Sequence, residues 1–134
     1  MKQRIMILAL AALWVLAGCG QVIVIKSQLY NGAPVYAPTD PEGVEILRSP
    51  PKGRHERLGE IYLEPSGTPS KFQIFLRLKL AASRMGANAV VLVADKAGLT
   101  EGPVAEPQWW NRELKTVDDR FIVGVAIWYP TRVW

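Results

Sequence analysis

The sequence predicts an α+β domain, one helix packed on a four-stranded sheet in the order β-β-α-β-β. Three observations carry that expectation. Residues 57–63 and 120–129 alternate with a period of two, residues 89–93 are an unbroken apolar run, and residues 72–85 repeat apolar positions at helical spacing. The chain has 134 residues, 49% apolar and 21% charged, which is the profile of one ordinary folded domain and not of disorder.

In chain order, Lys2 and Arg4 precede an apolar run at residues 5–16, which ends in Ala17-Gly18-Cys19. A membrane-spanning helix needs about 20 apolar residues and a signal-peptide core about 7 to 15, so the run reads as a signal peptide over residues 1–18. Leu16-Ala17-Gly18-Cys19 resembles the lipobox of bacterial lipoproteins. That resemblance implies that signal peptidase recognises Leu16, Ala17 and Gly18, and that the Cys19 sulfur, as thiolate, takes a diacylglycerol in thioether linkage. The freed Cys19 amine then receives a third acyl chain of the palmitate kind. One chain binds a membrane marginally, whereas two or three hold it stably, at about 0.8 kcal/mol per buried methylene. Gly20, in place of aspartate, implies by the same resemblance sorting to the outer membrane, on its periplasmic face. The competing reading makes Cys19 the last residue of a plain signal peptide or anchor helix.

Residues 19–43 are expected to form a lipidated tether. They hold one short β-branched run (Val22, Ile23, Val24, Ile25), a candidate strand that would, like oligomerisation, complete the small sheet, and then Pro34, Pro38 and Pro41, which withhold backbone donors. The small domain is expected over residues 44–134. Residues 44–48 read as a strand with Val44 and Ile46 on one face, ended by Ser49-Pro50-Pro51-Lys52-Gly53. In residues 57–63, Gly59, Ile61 and Leu63 share one face, while Leu58, Glu60, Tyr62 and Glu64 share a half-wet one. Pro65-Ser66-Gly67 is expected to end that strand.

Thr68-Pro69 is expected to cap and start the helix, since proline at the first helical position loses nothing. Ile74, Phe75, Leu78, Ala81, Ala82 and Met85 fill one arc, against Gln73, Arg77 and Arg84 opposite. Phe72, Leu76 and Leu80 widen the apolar arc beyond one sheet face, so the tether or a second subunit is expected on that flank. Gly86 fits the left-handed position that ends a helix. The run Ala89-Val90-Val91-Leu92-Val93 then reads as a strand buried on both faces, and residues 96–118 as a long loop. In the last strand Phe121, Val123, Val125, Ile127 and Tyr129 make a large face. Gly124 and Ala126 leave room for the helix on the other.

The layout resembles the small bacterial envelope proteins related to the YbjQ-like domain and to the Rcs stress-sensor lipoprotein. The residues that carry it are Tyr36-Ala37-Pro38-Thr39-Asp40-Pro41, Pro50-Pro51, Leu58-Gly59-Glu60-Ile61 and the helix end Lys79-Leu80-Ala81-Ala82-Ser83-Arg84-Met85-Gly86-Ala87-Asn88-Ala89-Val90-Val91. It spans residues 36–93 and 121–129 and implies a fold. The helix-Gly-Ala-Asn-Ala-Val segment is a packing signature that carries no chemistry. The paired cysteines of the stress sensor and the ligand set of a metal-binding domain have no counterparts here.

The chemistry-bearing residues are few. One Cys and one His cannot make a disulfide or a Cys₂His₂ zinc site, and lipidation consumes the only thiol. The net charge of +4 falls by two when the segment with Lys2 and Arg4 is removed, which gives nucleic acid little to attract. His55 reads as a solvated turn residue in preference to a proton switch, and Asp118-Asp119 as a turn in preference to an acid-base pair or hard-cation site. Ser66, Ser70 and Ser83 stand outside any G-x-S-x-G context, and no glycine-rich phosphate loop is present. Trp109-Trp110 is the unusual feature. It is expected either to contact a partner or to fold back over Phe72, Leu76 and Leu80.

The sequence therefore predicts a non-enzymatic lipoprotein without catalytic residues, metal or cofactor, held by membrane lipid through Cys19 and serving an envelope protein as a binding or assembly module. An alternative is binding, with or without hydrolysis, of a cell-wall glycan or small ligand at the Trp109-Trp110 loop. A third reading is a homo-oligomeric structural protein.

Overall fold

The computed structural model describes residues 21–110 and 120–130. Five strands, β1 (Gln21–Leu29), β2 (Glu45–Leu47), β3 (Glu56–Ser66), β4 (Ala89–Asp95) and β5 (Ile122–Trp128), and one helix, α1 (Lys71–Arg84), form an α+β body. The fold class is the expected one, with a fifth strand added. The sheet order is β1-β3-β5-β4-β2; all neighbours are antiparallel except β2 and β4, so the sheet is mixed.

The fifth strand comes from the stretch expected to be a tether. β3 has one edge on β5 and a second edge whose backbone groups need partners, and β1 supplies them from Gln21 opposite Ser66 to Leu29 opposite Gly59. The next residues also pack on the body. Thr39 N donates to Ser83 O at 2.9 Å, and Tyr36 stacks on Trp128 at 5.2 Å between ring centroids. Residues 21–43 are thus part of the folded domain.

Helix α1 begins two residues later than expected. Ser70 is its N-cap, and with Gln73 it makes a reciprocal capping box that satisfies two backbone donors where Thr68 would satisfy one. β3 continues through Pro65 to Ser66, past its last β5 partner at Leu63, where only β1 flanks it and a missing N–H is tolerated. Ile74, Leu78, Ala81, Ala82 and Met85 are buried as the helical period requires, with Phe75 half-buried. Gly86 takes φ +80°, and a Cβ there would lie 2.6 Å from Tyr36 Cβ, so both conformation and space call for glycine.

Two cores result, one on each face of the sheet. Against α1 lie Val44, Leu58, Ile61, Leu63, Val90, Leu92, Ile122 and Ala126. On the opposite face lie Ala89, Val91, Val93, Ala94, Val123, Val125 and Ile127. β4 and β5 are therefore buried on both faces, as the unbroken run at 89–93 foretold. Gly124 faces the helix as expected, for a Cβ there would meet Val90 Cγ1 at 2.5 Å and Leu78 Cδ2 at 3.2 Å.

The second face is closed by the described part of the 96–118 loop. Asp95 accepts hydrogen bonds from Leu99 N at 3.2 Å and Thr100 N at 3.0 Å, which starts the loop with a tight turn. The Arg48 guanidinium donates to the Thr100 carbonyl and, at 3.1 Å, to Pro103 O. Ala105 N donates to Leu92 O at 2.7 Å, where β4 runs past the end of β2. These ties lay a short 3₁₀ turn, Pro107–Trp109, over the sheet.

Candidate functional site

The loop face holds the densest set of polar and aromatic side chains, and a β-bulge creates it. In β3 the register shifts between Arg57 and Gly59. Leu58 thereby turns into the helix-side core with Gly59, and not outward with Glu60 as strict alternation implies. Arg57 and Glu60 consequently both face the loop. Glu60 lies between Gln28 of β1 and Val125 of β5 and is only 5% exposed, so the face expected to be half-wet is closed at this point.

The Glu60 carboxylate accepts a hydrogen bond from Tyr30 OH at 2.8 Å and another from Tyr62 OH at 2.9 Å. A buried carboxylate without donors costs several kcal/mol, and the two phenols offset part of that cost. Trp110 meets the edge of Tyr62 at 6.2 Å and tilts against Phe121 at 6.2 Å. Trp109 carries the Arg57 guanidinium 3.9 Å from its ring centroid and the His55 imidazole at 5.2 Å. His55 Nδ1 also lies 2.9 Å from Gly53 O. Next to Glu60, a pocket of about 120 Å³ is lined by Gln28, Leu29, Tyr30, Asn31 and Glu60.

Trp109 and Trp110 are therefore half-buried on the sheet face opposite α1, not over Phe72, Leu76 and Leu80. The expected packing on the helix flank is corrected for a simple reason. β4 and β5 present Val91, Val93, Val123, Val125 and Ile127 on the face without a helix, and that broad apolar surface needs a cover. The Trp110 indole N–H is buried without a partner, unlike any other side-chain polar atom among the described residues.

At the far end of the sheet, Asn88 ties β5 to the turn after α1. Its Nδ2 donates to Tyr129 O at 2.6 Å and its Oδ1 accepts from Tyr129 N at 3.0 Å. This gives the Gly-Ala-Asn segment a physical reason, a side chain that completes the ladder. Tyr129 OH donates to Glu45 at 2.7 Å, and that bond, with some burial and the carboxylate charge, pushes its pKa up to about 12. Tyr36 OH donates to Glu56, and the bond raises the Tyr36 pKa too.

Leu16, Ala17, Gly18, Cys19, Asp118 and Asp119 lie outside the described residues. Among the described residues no three His, Cys, Asp or Glu side chains cluster as a metal site, and no helix is long and apolar enough to cross a membrane. Sequence reasoning missed Tyr30 and Glu60 as a pair. The one signal available was a glutamate set among apolar neighbours in mid-strand, between Leu58-Gly59 and Ile61-Tyr62-Leu63. Comparison with known proteins finds no matching family model, no match among curated proteins and no match among solved structures.

Proposed function

We propose that the protein is an outer-membrane lipoprotein, anchored through acyl chains on Cys19, whose α+β body serves as a non-enzymatic binding or assembly module on the periplasmic face. The observation that carries the reading is Leu16-Ala17-Gly18-Cys19, placed directly after a basic start and an apolar run too short to span a bilayer.

One feature weighs against a sugar platform at the Trp109-Trp110 loop. The Trp109 ring, which a sugar would need as a platform, already carries Arg57 and His55. Glycan or small-ligand binding at the Trp109-Trp110 loop is thus the weaker proposal.

The test is Cys19→Ser, expressed in a Gram-negative host supplied with labelled palmitate. The proposal expects unprocessed precursor and no acyl label, against a processed and labelled parent. Equal labelling and identical fractionation of the two would defeat it.

A further inference from the structure

Helix α1 keeps an apolar stripe away from the core, and only half of that stripe is covered. Phe72, Leu76 and Leu80 recur every four residues along it, on the side opposite Ile74 and Leu78. At the C-terminal half, residues 36–43 lie against the helix, and Ser83 is buried beneath the Thr39 backbone bond. At the N-terminal half no described residue follows suit: Phe72 is 74% exposed and Leu76 42%. Two large apolar side chains one turn apart therefore stand in the open at one end of the molecule.

That end is also where the chain emerges toward its anchor. Gln21 pairs with Ser66, the last residue of β3, and α1 starts five residues beyond it. Cys19 precedes Gln21 by two residues, a reach of at most about 7 Å. The opposite end of α1 lies about 20 Å away at 1.5 Å per residue.

The charge on the helix is one-sided. Lys71, Arg77, Lys79 and Arg84 lie on α1, which holds no Asp or Glu. Among the described residues the ion pair formed is Arg54 with Glu56, so no described carboxylate neutralises them. An exposed aromatic and leucine set among unneutralised cations, beside a lipidated chain end, matches an interfacial helix meeting anionic headgroups.

We propose that the N-terminal half of α1 is a membrane-contact surface, with Phe72 and Leu76 entering the bilayer that holds the Cys19 acyl chains and the basic residues meeting its phosphates. This rests on the anchoring of Cys19. It adds an orientation: the body lies against the lipid with α1 toward it, and residues near Gly86 are the far end.

The experiment uses the lipidated full chain in vesicles of phosphatidylethanolamine with phosphatidylglycerol. Phe72→Cys and, as the distal control, Val35→Cys each add one thiol for a spin label; Val35 is 90% exposed and adjoins Tyr36 at Gly86. Cys19 cannot take the label once its sulfur is a thioether. The expected result is a several-fold higher ratio of oxygen to aqueous nickel-complex collisions at position 72 than at position 35, and a fall in that ratio when Arg77→Glu is added. The mass of the same preparation reports acylation. An acylated chain whose label at 72 is as aqueous as at 35 overturns the contact surface and leaves the anchor standing. A label at 72 shielded from both reagents also overturns it, in favour of a second copy of the chain as the cover. An unacylated chain overturns the anchor and the surface together.

Discussion

The two faces of the sheet solve the same problem with different materials. On the helix face, aliphatic side chains from α1 and from β3, β4 and β5 interlock with little polar content, Ser83 being the exception. On the loop face, tryptophan, tyrosine and phenylalanine cover the strands and enclose Glu60, the Arg57 stack and an unpartnered indole N–H. The first cover is regular and repeats at 3.6 residues. The second is held by individual ties, Arg48 to the loop carbonyls, Asp95 to the turn and Ala105 to Leu92. A helix satisfies its own backbone and can be purely apolar outside, whereas a loop must borrow donors and acceptors from the surface it covers.

Substitutions on each face sharpen the difference. The largest effect is expected for Leu78→Ala, a fully buried deletion between α1 and the sheet, which should lose about 2–5 kcal/mol in denaturant unfolding with an unchanged m-value. Gly124→Ala comes next. Its new methyl would press on Val90 and Leu78, at a cost of about 1–3 kcal/mol by the same measurement. A variant as stable as the parent would mean that the helix seat is looser than the structure shows.

On the loop face, Tyr62→Phe removes one hydrogen bond to a buried carboxylate and should cost about 1.5–3 kcal/mol at most. Trp110→Phe should cost less than about 1 kcal/mol. The N–H that it removes has no partner, so only part of a ring's contact area is lost. If Trp110→Phe proves as damaging as Leu78→Ala, the indole nitrogen has a role that its surroundings do not reveal.

The smallest effect is electrostatic. The folded-state pKa of Tyr129 is raised above its ordinary value of 10.0 to about 12, so its bond to Glu45 contributes fully below pH 10 and fades as the pH rises through 12. Between those limits the unfolded chain releases a proton that the folded chain keeps, and stability falls as pH rises. Tyr129→Phe should flatten that alkaline slope slightly. The Tyr129–Glu45 hydrogen bond lies at the surface, where solvent screens it, so the change is expected to be small, and a slope that steepens would contradict the assignment.

Legibility in the sequence follows the same division between the faces. Period alone identified Ile74, Leu78, Ala81 and Ala82, and the alternation of small and large residues placed Gly124 against the helix. Both patterns depend only on neighbours in sequence. Glu60 was not legible, because a two-residue period says which face a side chain takes and nothing about what covers that face. The bulge at Leu58 added a shift that no local pattern marks. Ser70 and Gln73 did carry a capping-box signal, which outweighs the Thr68-Pro69 pair once both donors are counted. β1 was visible as a β-branched run, but its nine-residue length is set by the free edge of β3. The Trp109-Trp110 loop follows no period, so its destination depended on which apolar surface lacked a cover.

The proposed anchoring makes the position of the folded body depend on a single covalent linkage, and the N-terminal peptide of the mature protein reports it directly. Mass spectrometry of protein taken from its native envelope should find that peptide beginning at Cys19, with a diacylglycerol on the sulfur and a third acyl group on the amine. A mature chain beginning elsewhere, or Cys19 with its sulfur unmodified, would contradict the account.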